Sequence, residues 1–134
     1  MKSLSIIIAL AALAGCPAHE EPDAFVYIGH FTSVPPGATG SITNDWEDDI
    51  HRVTMSVGVA LAARCSDYCR DQSNYDCVGL RVESNNPEII DTRALYRGGR
   101  QPTELVLVGS KVGDTILHVQ TACGVQDYEV HVIP

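Results

Sequence analysis

Several things are missing from this 134-residue chain, and each absence narrows what it does. No stretch reaches the ~20 consecutive apolar residues that a membrane-spanning helix needs. No Cys-x-x-Cys occurs, which removes the usual spacing for structural zinc or for a redox dithiol. There is no glycine-rich phosphate loop, no serine in a nucleophile elbow and no zinc-binding helix motif. These gaps point away from catalysis and from any cofactor, so the chain is read as a non-enzyme. Basic residues are scarce, 9 against 17 acidic ones. A surface of that sign repels phosphate backbones, which makes nucleic acid a poor partner.

What is present begins with Met-Lys-Ser, a short apolar run from Leu4 to Ala14, and Gly15-Cys16. A positive residue, a brief apolar core and small residues before a cut site describe a secretory signal. The four residues Leu13-Ala14-Gly15-Cys16 resemble the lipobox of bacterial lipoproteins. That resemblance implies cleavage before Cys16, a diacylglycerol on its thiol and acylation of the new amino group. Several acyl chains suffice for stable membrane attachment, so the membrane is an implied partner through Cys16. Pro17 follows the cysteine, which in enteric-type sorting resembles a cargo passed to the outer membrane. Cleavage removes Lys2 and no acid, leaving 8 basic and 17 acidic residues and a formal charge of 8 − 17 = −9. Such acidity also keeps an exported domain soluble.

The expected layout is a signal peptide over 1–15, a lipidated tether over 16–24 and one domain over 25–134. Two prolines and three acids keep the tether extended. Four cysteines remain in the domain: Cys65, Cys69, Cys77 and Cys123. An even number in a small exported domain argues for two disulfides, with three pairings open.

Alternation of apolar and polar residues dominates the rest. Leu117 and Val119 alternate with His118 and Gln120, then Tyr128, Val130 and Val132 with Glu129 and His131. A glycine-containing turn separates the runs, so they read as a β-hairpin with one dry face. Phe25, Val26, Tyr27, Ile28 and Phe31 suggest a first strand, broken by Pro35-Pro36-Gly37; Gly40, Asn44 and Asp45 suggest continued loop. Val53, Met55, Val57, Val59 and Leu61 alternate, with Gly58 marking a bulge or sheet switch. Residues 59–70 also fit helical spacing, but the β-branched run before Gly58 favours strand. Val78, Leu80 and Val82 suggest another strand, Ser84-Asn85-Asn86-Pro87 a turn, and Leu105 and Leu107 a further strand. Arg93 to Pro102 reads as an exposed loop.

Two clusters invite a metal. Asp45-Trp46-Glu47-Asp48-Asp49 offers oxygen ligands for Ca²⁺, but its spacing matches no loop motif and a solvated acidic loop is preferred. His118 and His131 share the wet face of the hairpin and are close enough in pattern to approach each other. A metal would need a third ligand, so they read as surface histidines.

From Val53 to Val132 the pattern resembles bacterial immunoglobulin-like domains of cell-surface proteins. The parts that carry it are Met55-Ser-Val-Gly58 and Ser84-Asn-Asn-Pro87-Glu-Ile89. Val108-Gly109-Ser-Lys-Val-Gly113-Asp-Thr-Ile-Leu117 and the closing Tyr128-Glu-Val130-His-Val132 complete it. The family's aromatic before the Ser-x-x-Pro turn is Val82 here, and the Cys65–Cys77 loop is atypical. The resemblance implies an all-β, immunoglobulin-like sandwich of about seven strands. It also implies that all four thiols gather at one end, with Cys65 joined to Cys123 and Cys69 to Cys77. Loops held by a rigid scaffold commonly carry function. The expected role is therefore a lipid-anchored envelope module binding a protein or glycan through Tyr68, Arg70, Tyr75, Arg97 and Arg100. An assembly subunit that docks by an exposed strand edge is the alternative.

Overall fold

The computed structural model describes residues 24–70, 77–95 and 103–134. All of its regular structure is strand. The nine strands are β1 (Ala24–His30), β2 (Gly40–Asp45), β3 (Ile50–Ser56), β4 (Ala60–Cys69), β5 (Arg81–Ser84), β6 (Ile90–Leu95), β7 (Glu104–Gly109), β8 (Gly113–Thr121) and β9 (Gly124–Ile133). They form a four-stranded sheet in the order β1-β4-β7-β6 and a five-stranded sheet in the order β2-β3-β9-β8-β5. The chain is an all-β sandwich with two disulfides.

Period-two alternation builds the core. Val26 and Ile28 of β1, Leu61 and Ala63 of β4, and Leu105 and Leu107 of β7 turn inward from one sheet. Val53 and Met55 of β3, Leu117 and Val119 of β8, and Tyr128, Val130 and Val132 of β9 turn inward from the other. The expected hairpin is present: Leu117 lies opposite Tyr128, and the turn at Ala122-Cys123 follows the Thr121–Gly124 pair. Burying each large aliphatic side chain contributes about 1.5–3 kcal/mol, so this interior is the main source of cohesion.

Residues 60–69 are strand throughout, as the alternation around Gly58 favoured. Gly58 does mark a sheet switch. Its φ of 82° lies in the left-handed region, and its N–H bonds to the Gly109 carbonyl at 2.7 Å as the chain crosses from β3 to β4. That conformation costs a glycine little and other residues more.

Some elements depart from expectation. The segment read as loop around Gly40 and Asn44 is strand β2, paired with β3. It has only one aliphatic residue, Ile42, so its alternation is invisible. Val78 to Leu80 form a turn rather than a strand, and β5 begins at Arg81. Arg93 belongs to β6, not to a loop; its side chain is exposed and pairs with Asp91 at 3.1 Å.

The disulfides join Cys65 to Cys77 and Cys69 to Cys123, which corrects the expected pairing. Cys65, Asp67 and Cys69 share the inward parity of β4, so parity does not choose between the two cysteines. Position along the strand does. Four residues span about 13 Å of strand, while bonded cysteines hold their Cα atoms within about 7 Å. The β8–β9 turn meets the far end of β4, at Cys69, and leaves Cys65 to the returning segment at Cys77. Buried Asp67 reinforces that return by accepting the Cys77 N–H at 2.9 Å.

Candidate partner-binding surface

One end of the sandwich collects most of the chemistry. β1 starts there at Ala24, opposite Cys69. The β2–β3 loop arrives at the same end, because β3 runs parallel to β9, which starts just after Cys123. The Cys69–Cys123 disulfide closes it.

Val26 and Ile28 face the core, so Phe25 and Tyr27 face outward on β1. Tyr68 of β4 lies opposite Phe25 in the register and stacks on it with ring centroids 5.5 Å apart. Trp46, in the β2–β3 loop, folds back over this strand. Its ring sits 6.0 Å from both Phe25 and Tyr27 and is T-shaped to each. Edge-to-face contacts of this kind contribute about 0.5–1.5 kcal/mol beyond the area they cover. They hold Trp46 in place while it stays 51% exposed. A loop tryptophan with half its surface in water, seated on Phe25 and Tyr27 with Tyr68 stacked behind Phe25, is an apolar platform of the type found at recognition surfaces.

The acidic loop beside it is built from within. Asp45 Oδ1 accepts the N–H groups of Glu47 and Asp48 at 3.0 and 3.2 Å, an Asx turn that closes the β2–β3 connection. Asp45 is thereby engaged as a turn-former. Among the described residues, no group of three or more His, Cys, Asp or Glu side chains is placed to hold a metal ion.

Below Trp46 lies His51, buried and T-shaped to the indole at 4.7 Å. Its Nδ1 faces Asn44 Oδ1 at 3.2 Å. Asn44 donates its amide to the Ile28 carbonyl at 2.9 Å and accepts the Tyr128 hydroxyl at 2.6 Å. Tyr128 in turn accepts the Ile28 N–H at 2.9 Å. Burial pushes the Tyr128 phenol well above its ordinary range, partly offset by the Ile28 bond. β1 is an edge strand, and these two side chains satisfy both backbone groups of Ile28 where no neighbouring strand does.

The two histidines of the hairpin do not meet. His118 lies opposite Asp127 and bonds to it, with its other nitrogen 2.8 Å from Asn85 Oδ1. His131 lies opposite Asp114 and contacts it at 2.7 Å. Each is held by its own cross-strand acid, about four residues along the ladder from the other. Nearby, the Arg52 guanidinium holds the Glu129 carboxyl below its usual range through a 2.8 Å bond.

Of the residues expected to bind a partner, Tyr68 joins the platform, and Arg70 follows β4 at the same end, exposed. Tyr75, Arg97 and Arg100 lie outside the described residues, as does Cys16. Sequence reasoning missed Phe25 and Tyr27, although the alternation Phe25-Val26-Tyr27-Ile28 already separated an aromatic face from an aliphatic one. Comparison with family models, curated proteins and solved structures finds no match for this chain.

Proposed function

We propose that the chain is an exported, lipid-anchored envelope module without catalytic activity. It binds a macromolecular partner at the disulfide-tied end of its sandwich. The observation that carries this reading is the half-exposed Trp46 held against Phe25 and Tyr27. Trp46 packs over buried His51 on one side, yet half of it stays in water, and that exposure costs solubility unless something covers it. Two packed antiparallel-rich sheets closed by the β8–β9 hairpin support the resemblance to bacterial immunoglobulin-like domains, a fold that does not fix function.

The lipobox adds a positional argument. Seven residues separate Cys16 from Ala24, where β1 starts. Fully extended, that tether spans about 25 Å. β1 begins at the platform end, so the platform stays close to the bilayer that holds the acyl chains. Its partner is therefore one that is itself reached near the membrane surface.

Mild crosslinking in intact cells tests the reading. The wild-type chain is expected to give a discrete adduct, and Trp46→Ala is expected to abolish it while leaving protein level and membrane attachment unchanged. An adduct of undiminished yield from the variant counts against the platform.

A further inference from the structure

Asp49 stands where the platform meets a second, polar hollow. On one side is a recess of about 260 Å³ walled by Phe25, Trp46 and Val125. On the other is a recess of about 270 Å³ lined by His51, Arg52, Asp127 and Glu129. Asp49 belongs to both, its side chain 92% exposed and its backbone left-handed at φ 53°.

Behind Asp49 is an incomplete hydrogen-bonding group. The His51 side chain is 2% exposed. The Asn44 amide nitrogen is committed to the Ile28 carbonyl, so Asn44 presents its oxygen to His51, and His51 Nδ1 carries the hydrogen. In the neutral ring Nε2 then presents a lone pair. That atom is buried and has no hydrogen-bond partner, and Asp49 Oδ1 lies 3.6 Å away. Leaving a buried polar group unpaired is unfavourable, which favours a donor placed between Nε2 and the carboxylate.

The surroundings specify that donor. The rim carries three carboxylates, Asp49, Asp127 and Glu129, against one cation, Arg52. Glu129 is bonded to Arg52 and Asp127 to His118, so Asp49 is the carboxylate open to a ligand, and the chain carries 17 acids against 9 bases. The other half of the groove is mostly apolar, walled by Phe25, Trp46 and Val125. Acceptors, negative potential and an aromatic wall together complement a positively charged N–H group on an apolar stem.

We propose that this groove takes a lysine or arginine side chain from a basic segment of a partner protein, with its stem along Phe25, Trp46 and Val125 and its N–H groups on Asp49 and His51 Nε2. The proposal rests on the tied end being the binding surface, and it names the partner's chemistry. Trp46 covers His51 edge-on, so seating a donor there moves the indole.

Trp46 is the single tryptophan of the chain, so its fluorescence reports this site alone. The experiment titrates the full mature protein in mild detergent with a lysine–glycine repeat peptide. A saturable change in emission is expected, lost when the lysines are acetylated. Asp49→Asn is expected to weaken binding about fivefold, the upper range for one exposed charge pair. Asparagine tolerates the left-handed backbone, so the fold is retained. Glu88→Gln removes the same charge beside Lys111, at the opposite end of the sandwich, and is expected to leave binding unchanged. Equal losses from both variants would show a diffuse charge effect and overturn the proposal, as would no response or a response that survives acetylation. A response to a neutral oligosaccharide or to zwitterionic vesicles in place of the peptide also overturns it, while leaving the tied end as the binding surface.

Discussion

The hydroxyl of Tyr128, on β9, accepts the backbone N–H of Ile28, on β1, at 2.9 Å across the gap between the sheets. The same hydroxyl donates to Asn44, which returns a bond to the Ile28 carbonyl. Tyr128→Phe keeps the ring but leaves a buried N–H without an acceptor. The expected loss is about 1–3 kcal/mol of folding stability, measured by urea denaturation. Asn44→Ala removes the same closed network, so the double variant should cost less than the sum of the singles. Full additivity would show that the network is not cooperative.

Alkaline pH acts on the same group. The Tyr128 phenol is raised in the folded state because burial penalises the phenolate. The unfolded chain releases that proton near pH 10, whereas the folded chain keeps it. Stability from this residue is therefore fully present below about pH 10 and falls as pH rises above it, by about 1.4 kcal/mol per pH unit. A stability profile from pH 8 to 11 should bend downward in the wild type more than in Tyr128→Phe. Parallel profiles would place the alkaline sensitivity elsewhere.

The two staples differ in reach. Cys65–Cys77 closes 12 residues and Cys69–Cys123 closes 54. On chain entropy alone they contribute roughly 3 and roughly 4 kcal/mol. Trypsin leaves Cys65 and Cys69 on one peptide, so connectivity needs a second cut before Asp67. Non-reducing digestion with both cuts should then link the Cys65 fragment to the Cys77 peptide and the Cys69 fragment to the Cys123 peptide. Linkage of Cys65 to Cys123 would contradict the register of β4 against the β8–β9 turn.

Lipidation has its own test. Cys16→Ser should leave the chain in the soluble fraction, while the wild type is expected to partition into detergent. Persistent membrane association of the variant would remove the lipobox from the account.

The hairpin of β8 and β9 was legible because Leu117, Val119, Tyr128, Val130 and Val132 keep a strict dry face. β2 was not, because Gly-Ser-Ile-Thr-Asn-Asp holds one aliphatic residue and lies at a sheet edge. The disulfide partners were hidden for a different reason. Cys65 and Cys69 share a face, and only the stagger of β4 against a turn more than fifty residues later separates them. The acidic loop with its tryptophan stood out in the sequence, but as a carboxylate cluster. Its aromatic partners Phe25 and Tyr27 lie about twenty residues earlier and in the other sheet. No local pattern reports a contact made between sheets.

The central claim is that a partner is met at the Trp46 end of the sandwich. Site-specific photo-crosslinking in living cells addresses it most directly, with the photoreactive residue placed at position 125 or 68, and at position 57 or 112 at the opposite end. Adducts of one discrete mass from positions 125 and 68, and none from 57 and 112, are expected. Adducts confined to positions 57 and 112 would contradict the claim.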